Sequence, residues 1–324
     1  MSLDSIFSQN YPHNLIEIIF IDAGSTDGTV EAINRYIKKY DDINIKVYEN
    51  PLRTAEAGKA VGVRKAKNEL VALIDSDNIM PDNNWISMLT EPFLEECIVA
   101  SEPIEYTYRK EDSVINRYCS LIGMNDPICI FTGNYDRKNY ITNKWTEVKR
   151  EEIDKGNYLS IKFYDMIPTI GANGFVMRRE SIIDNFSGDY LFDIDVLWEI
   201  FNKNSDLRVA KVKTGIIHLF CPDVKTFVRK QTRRIRDYKY FSSLKGRIYP
   251  WNKVGKAKLF KFVIYSILII PLLAQAVIGY SRKHDLKAWL FHPVACWITL
   301  WVYGTGTIIG LFKKEMISRE GWKQ

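Results

Sequence analysis

The chain has 324 residues, of which 46% are hydrophobic and 26% are charged, and its formal net charge is +6. This length suffices for roughly two domains, and the composition excludes a disordered protein. The mild positive charge favours anionic lipids or phosphate-bearing substrates. We predict no nucleic-acid partner, because nucleic-acid-binding proteins usually carry a denser basic patch.

The five cysteines are odd in number and widely spaced, and they include no Cys-x-x-Cys pair. This pattern indicates neither a disulfide framework nor a zinc site. It predicts a reducing, cytosolic setting for the soluble part of the chain.

Strand-like and helix-like segments alternate along the first quarter of the chain. Such alternation predicts an α/β fold with a mostly parallel sheet and helices on both faces. A ligand of such a sheet binds at the carboxyl ends of its strands. The predicted strands cover residues 16–22, 43–48 and 70–74, and the predicted helices cover residues 29–40 and 58–68.

Two carboxylates follow the predicted strand at residues 70–74, in the sequence Asp75-Ser76-Asp77. Both side chains should emerge at the ligand-binding edge of the sheet. Mg²⁺ and Mn²⁺ prefer oxygen ligands, and one or two carboxylates together with phosphate oxygens suffice to hold them. An Asp-x-Asp sequence is short, however, and a solvated turn is the alternative interpretation.

The wider context of these acids resembles a known family. Residues 17–29, with Asp22 ahead of Gly24-Ser-Thr-Asp-Gly-Thr29, resemble the signature of the family 2 glycosyltransferases. Residues 58–77 resemble the next block of that family, in the same order and at a similar separation. The resemblance implies a GT-A fold (nucleotide-diphospho-sugar transferase, Rossmann-like) and an enzyme that moves a sugar from a nucleotide to an acceptor.

The resemblance also implies roles for individual residues. Asp22 should contact the nucleotide base, Asp75 the ribose or the metal, and Asp77 the metal. His218 is expected to bind the metal or the pyrophosphate, with a purely structural role as the alternative. The expected cofactor is a divalent cation, Mn²⁺ or Mg²⁺, and the expected donor is a UDP- or GDP-sugar. The residues expected to bind the nucleotide sugar include Asp22, Gly24, Ser25, Lys59 and Asp75.

A second pair of acids, Asp193 and Asp195, is expected to supply the general base. An inverting transferase needs one group to take the proton of the acceptor hydroxyl. The family commonly has Glu-Asp at this point, and Phe192 replaces the Glu here. Asp193 is therefore our first choice and Asp195 the second. The alternative is an acid pair that stabilises the start of a helix.

The sequence Gln231-Thr-Arg-Arg234 partly resembles the Gln-x-x-Arg-Trp motif of processive family members. Ile235 stands where the Trp would be, so the resemblance leaves processivity open. Arg233 and Arg234 are expected to bind the diphosphate of the donor. A solvated or lipid-facing basic helix is an equally good interpretation of these residues.

Two stretches near the C-terminus predict membrane insertion. Residues 262–280 carry no charge, and residues 288–312 carry no acid or base apart from His292. Each is long enough to span a bilayer. Basic outer flanks predict a transmembrane hairpin in the plasma membrane, with the catalytic part facing the cytoplasm and contacting lipid. The alternatives are buried core helices or an interfacial hairpin.

The chain therefore divides into three predicted parts. Residues 1–102 form the nucleotide-sugar-binding half of the GT-A domain, residues 103–240 the acceptor-binding and catalytic half, and residues 241–324 a basic linker and the membrane hairpin. The resemblance begins inside the helix that precedes the second strand of the family. It implies that an opening strand of the Val-Ile-Ile-Pro type is missing.

The predicted function is that of a membrane-associated inverting glycosyltransferase. Its acceptor is expected to be a lipid-linked sugar or a polysaccharide. The alternative is a truncated, non-catalytic remnant that binds nucleotide or membrane. A nucleotidyltransferase also places acids at a sheet edge, but the Gly-Ser-Thr-Asp-Gly-Thr block disfavours it.

Overall fold

A computed structural model of the protein describes residues 2–171, 173–242, 247–250 and 255–310. The strands are β1 (Glu17–Asp22), β2 (Asn44–Glu49), β3 (Leu70–Leu73), β4 (Asn78–Ile79), β5 (Ile98–Tyr106), β6 (Arg150–Asp154), β7 (Tyr158–Phe163), β8 (Phe175–Arg178) and β9 (Arg208–His218). The α-helices are α1 (Ser2–Phe7), α2 (Thr29–Lys39), α3 (Ala55–Lys65), α4 (Trp85–Thr90), α5 (Val114–Ile122), α6 (Ile128–Thr132), α7 (Arg179–Ile183), α8 (Asp193–Lys203), α9 (Val224–Ser242), α10 (Lys256–Leu268), α11 (Ile270–Arg282) and α12 (Leu286–Gly310).

The larger sheet has the strand order β3-β8-β5-β9-β7-β6, and β4 pairs with β9 beside this path. Among the described pairs, β1–β2 and β5–β9 are parallel and the others are antiparallel. The prediction of a mostly parallel sheet is therefore wrong. Its basis was the first quarter of the chain, where β1, β2 and β3 form as predicted. The later strands β6 and β7 join through a short connection, which forces neighbouring strands to run in opposite directions.

The strands β1 and β2 form a separate two-stranded sheet, and no backbone pairing joins β1 to β3 in the described residues. Helix α3 spans both strands. Gly58 and Gly62 approach Ile21 of β1, whereas Ala60 packs in the core that also holds Leu73 of β3. The two sheets are thus joined by side chains across a seam, and in the described residues β1 and β3 each have a single partner strand.

A cluster of charged side chains lies at the centre of the larger sheet. Glu102 of β5, Lys211 of β9 and Arg137 are all fully buried. Arg137 forms an ion pair with one oxygen of Glu102 over 2.7 Å, and Lys211 pairs with the other oxygen of the same carboxylate. Burial lowers the pKa of Lys211, while the Glu102 charge opposes this shift. The cluster fixes the loop around Arg137 on the sheet, since removing one partner would leave a buried charge uncompensated.

The predicted continuous helix over residues 262–280 is wrong, because the chain bends there by 94° between α10 and α11. The bend lies at Ile269, whose φ is 61°. Pro271 lacks the backbone N–H that a continuing helix would need. In the described residues no single helix is long and apolar enough to cross a membrane, and only the bent α10–α11 pair reaches that length and composition. Residues 311–312 and the flanking Lys253, Lys313, Lys314 and Arg319 lie outside the described part.

The seam between β1 and β3 generates a first prediction. A strand of the Val-Ile-Ile-Pro type, fused ahead of Ser2 through a flexible linker, should pair with the open edges of both strands. We expect the melting temperature to rise by roughly 2–4 °C for each kcal/mol gained. Hydrogen exchange should slow in residues 17–22 and 70–73. A fused segment of alternating Asp and Lys is the control. Equal exchange in both fusions would contradict the prediction.

Candidate active site

The turn after β1 is organised by the carboxylate of Asp22. It accepts hydrogen bonds from the backbone N–H groups of Gly24 and Ser25, over 2.9 and 3.0 Å. Gly24 has a φ of 86°, a left-handed conformation that favours glycine. Burial alone would raise the pKa of Asp22, but the bonds from Ser25 and Gly24 bring it below its ordinary value. The three predicted residues therefore lie together, and the carboxylate stays ionised.

Lys59 of α3 pairs with one carboxylate that is distant in the sequence and is influenced by the charge of a second. Its Nζ donates to Asp193 Oδ2 over 2.7 Å. The charge of Asp75 acts on the same ammonium group. Burial alone would lower the pKa of Lys59, but the charges of Asp193 and Asp75 raise it above its ordinary value. The lysine thus stays protonated and joins the two predicted acid pairs into one site.

The Asp75–Asp77 turn lies beside His218, the last residue of β9. His218 Nε2 is 3.4 Å from Asp77 Oδ2, and the backbone of His218 pairs with Asn78 of β4. Burial raises the pKa of Asp75, and the charge of Asp77 adds to this shift. Burial opposes ionisation of Asp77 as well, but the hydrogen bond and charge of His218 lower the pKa of Asp77.

The donor atoms at this turn fit a divalent cation in part. Asp77 Oδ1 is buried and has no hydrogen-bond partner. Asp75 and Asp77 are two carboxylates whose mutual repulsion a cation would relieve. The described residues contain no group of three His, Cys, Asp or Glu side chains already placed as ligands. Substrate phosphates and water would have to complete the coordination, as is usual for Mg²⁺ sites.

Asp193 and Asp195 differ in what surrounds them. Asp195 accepts from the backbone N–H of Tyr249 over 2.8 Å and forms an ion pair with Arg247. Asp193 keeps its Oδ1 buried and unpartnered. Only Asp193 lines the adjoining cavity of about 220 Å³. The other lining residues are Glu56, Lys59, Thr169, Ile170, Gly171, Leu191, Phe192 and Ile194. Both oxygens of Asp195 are thus engaged in contacts that stabilise the fold, whereas Asp193 has one oxygen without a hydrogen-bond partner.

The basic helix α9 contributes a residue that the sequence analysis missed. Lys230 Nζ lies 3.6 Å from Asp77 Oδ2. Arg234 instead donates to the carbonyl of Asn125 over 3.0 Å, and Arg233 lies 3.8 Å from Asp237. Lys230 and Arg234 are four residues apart and share one helix face. That spacing was the signal that could have identified Lys230. The roles predicted for Arg233 and Arg234 stay predictions.

An amide pair links the Asp75–Asp77 turn to the buried charges of the sheet. Asn78 Nδ2 donates to Asn173 Oδ1 over 2.8 Å. Asn173 has a φ of 50°, and its carbonyl accepts from Arg137 over 3.1 Å. Asn78 Oδ1 accepts from the backbone N–H of Asp75. The turn is therefore held by contacts that no sequence motif had indicated.

The family profile described as Glycosyl transferase family 2 matches residues 2–186. Glycosyltransferase AglE of Haloferax volcanii is 25% identical over 123 residues, which cover 38% of this chain and 40% of that protein. Glycosyltransferase GlyG of Streptococcus pneumoniae serotype 4 is 33% identical over 81 residues, which cover 25% of this chain and 26% of that protein. The matched segments thus span less than half of these relatives.

A solved structure supports the fold over nearly the whole chain. Mannosyltransferase PcManGT from Pyrobaculum calidifontis, in complex with GDP-Man and Mn²⁺, superposes with a TM-score of 0.56 at 13% sequence identity. The match covers 97% of this chain and 83% of that protein. The α/β fold is therefore of the GT-A type, as the resemblance implied.

The contact of Gly171 with Asp193 generates a second prediction. Gly171 has a φ of 148°, and a Cβ there would lie 2.7 Å from the Cβ of Asp193. Gly188 also has a positive φ, but a Cβ there would meet nothing within 4 Å. Gly188→Ala should lose about 1–2 kcal/mol to the backbone conformation, and Gly171→Ala should lose about 1–3 kcal/mol, because a φ of 148° is adopted almost only by glycine. Gly171→Ala should lose about 1–3 kcal/mol more through the clash. Chemical denaturation measures both, and equal losses would contradict the close approach.

Proposed function

The chain belongs to glycosyl transferase family 2, and we propose that this glycosyltransferase works by inversion, with a divalent cation assisting the departure of the nucleoside diphosphate. The observation that carries the proposal is the ion pair of Lys59 with Asp193, together with the charge of Asp75 that acts on the same ammonium group. It brings a carboxylate with a free oxygen next to the turn that holds the acidic pair. A base for the acceptor and a site for the diphosphate are then adjacent.

The donor is proposed to bind across the carboxyl ends of β1 and β3. Asp22 and the turn with Gly24 and Ser25 would hold the nucleoside, and Lys59 and Lys230 would face the diphosphate. Asp75, Asp77 and His218 would hold the Mn²⁺ or Mg²⁺, which acts as a Lewis acid on the diphosphate oxygens. The complex of PcManGT with GDP-Man and Mn²⁺ supports this donor and cofactor class.

Asp193 is proposed to accept the proton of the attacking hydroxyl. Its Oδ1 has no partner, while Oδ2 is held by Lys59. A bound diphosphate would offer Lys59 a second anionic partner and weaken its hydrogen bond to Asp193. Donor binding would in this way release Asp193 Oδ2 before the acceptor reacts.

The acceptor is proposed to be a lipid-linked sugar or a polysaccharide. Two relatives by name act on such acceptors, the poly(ribitol-phosphate) beta-glucosyltransferase of Bacillus spizizenii and a dolichyl phosphate-linked glucuronosyltransferase of Methanococcus voltae. These matches cover 12% and 28% of the two proteins, so they support a class only. The location at the plasma membrane, with the catalytic part in the cytoplasm, stays part of the proposal.

A second candidate function is that of a remnant that binds nucleotide without turnover. The seam between β1 and β3 favours it, because the donor turn after β1 belongs to the separate two-stranded sheet. An imprecisely held donor turn would reduce turnover more than binding, since misplacement by about 1 Å can cost a hundredfold in rate. Measured release of nucleoside diphosphate in the presence of acceptor separates the two functions.

The third prediction compares the two acids of α8. Asp193→Asn should keep donor binding but lose at least about 10²-fold in turnover, because the base is gone, and it should also lower the melting temperature, because Lys59 loses its ion-pair partner. Asp195→Asn should lower the melting temperature, because it loses the ion pair with Arg247, and it should retain turnover well below that temperature. The assays are nucleotide-sugar turnover and thermal unfolding. The reverse pattern would assign the base to Asp195.

The fourth prediction concerns the cation. In the presence of Mn²⁺, the correct nucleotide sugar should stabilise the protein by about 2.7 kcal/mol when the free concentration of the sugar is 100 times its dissociation constant. Asp77→Asn should abolish the Mn²⁺-dependent part of this stabilisation, because the neutral amide binds a cation more weakly than the carboxylate does. Asp82→Asn, on an exposed loop, is the control and should keep it. Full stabilisation in excess chelator would rule out the proposed role of the metal.

A further inference from the structure

The C-terminal helices present an apolar surface to solvent. At the bend between α10 and α11, the four consecutive residues 267–270 are exposed, and Ile270 is 76% exposed. One stripe of α12 is exposed at helical spacing, and Trp301 is 65% exposed. Contiguous exposed apolar surfaces of this kind mark contact sites for membranes or proteins. We define the outer apolar surface as Ile267, Leu268, Ile269, Ile270, Leu273, Val277, Ile278, Leu290, Val294, Trp297, Trp301 and Ile308.

The connection between α11 and α12 is held against the globular domain. Arg282 donates to the carbonyl groups of Tyr140 and Ile141, over 2.9 and 2.6 Å. Asp285 pairs with Arg117 over 2.6 Å and accepts from the hydroxyl of Tyr108. A hairpin that crossed the bilayer would place this connection about 30 Å away, on the opposite side. These contacts keep it on the side of the catalytic domain.

The segment that carries the outer apolar surface is basic. Residues 256–308 contain six Lys and Arg residues and a single acid, Asp285. Asp285 is already neutralised by Arg117. Such a basic segment attracts anionic lipid headgroups. Two copies of the same surface would bring like charges together. Charge complementarity therefore favours an anionic bilayer over a second copy of this chain.

We propose that the protein docks on one leaflet of an anionic membrane through the outer apolar surface, without crossing the bilayer. The bend at residues 267–270 enters furthest, and Trp297 and Trp301 lie at the level of the headgroups, where tryptophan is favoured. The proposal rests on the helices alone and is independent of the reaction proposed above.

Docking would place the candidate active site close to the lipid surface. The inner side of α12 packs along α9, and Tyr303 of α12 contacts Gln231 of α9 over 3.3 Å. The preceding residue on α9, Lys230, approaches Asp77. A single helix layer thus separates α12 from the site. An acceptor carried by a lipid in the same leaflet would approach from this direction.

The first test is binding of the full chain to vesicles by sedimentation. The protein should pellet with phosphatidylcholine vesicles that contain 30 mol% phosphatidylglycerol, a composition about as anionic as cell membranes. The double variant Val277→Glu/Trp301→Glu should bind at least tenfold more weakly with an unchanged melting temperature, because both side chains point away from the core. Leu94→Glu, at an 89% exposed position on the opposite half of the chain, is the control and should bind as the parent does. Equal binding by all three proteins would overturn the proposal.

The second test locates the connection between α11 and α12. Ser281→Cys protein is added to preformed vesicles and treated with a membrane-impermeant maleimide, and the labelled peptide is quantified by mass spectrometry. Labelling of residue 281 in intact vesicles is expected, because the connection stays outside. Labelling only after detergent lysis would show a spanning hairpin. If the glutamate variant instead changes the molar mass in light scattering and vesicle binding is absent, the surface joins two copies, and the proposal fails.

Discussion

The candidate active site depends on one buried ammonium group. Lys59 forms an ion pair with Asp193, and the charge of Asp75 acts on the same ammonium group. Lys59 lies on α3, Asp193 begins α8, and Asp75 lies in the turn after β3. Burying an unpaired charge costs several kcal/mol, so the three elements stabilise one another only while all three charges are present. The geometry of the turn at Asp75 and of the cavity beside Asp193 follows from this arrangement.

Local sequence was sufficient to predict β1, β3 and the turn at Asp22. Short apolar runs that end in acids specify β1 and β3, and the Gly-Ser-Thr-Asp-Gly-Thr block specifies the turn at Asp22, because these signals lie within a few residues of one another. The family and the GT-A fold are confirmed on that basis. The positions of Asp193 and Lys59 within one site depend on a contact across 134 residues, and local patterns carry no information about it.

The predictions that failed also depended on contacts or backbone geometry that the local sequence pattern does not reveal. The direction of β7 and β8 relative to the rest of the sheet is set by pairing partners far along the chain, so the alternation in the first quarter could not reveal it. The charge-free run at residues 262–280 has the composition of a spanning helix, but Ile269 and Pro271 divide it into two short helices. Composition measures compatibility with lipid, whereas the contacts of Arg282 and Asp285 decide on which side the connection lies.

A double-mutant cycle of Lys59→Met and Asp193→Asn tests the central claim most directly. The free energy of unfolding is measured for the four proteins, first alone and then with saturating nucleotide sugar and Mn²⁺. The account predicts a coupling of about 1–3 kcal/mol in the free protein and a smaller coupling with donor, because the diphosphate then shares Lys59. A coupling near zero in the free protein, or an equal coupling in both states, would contradict it.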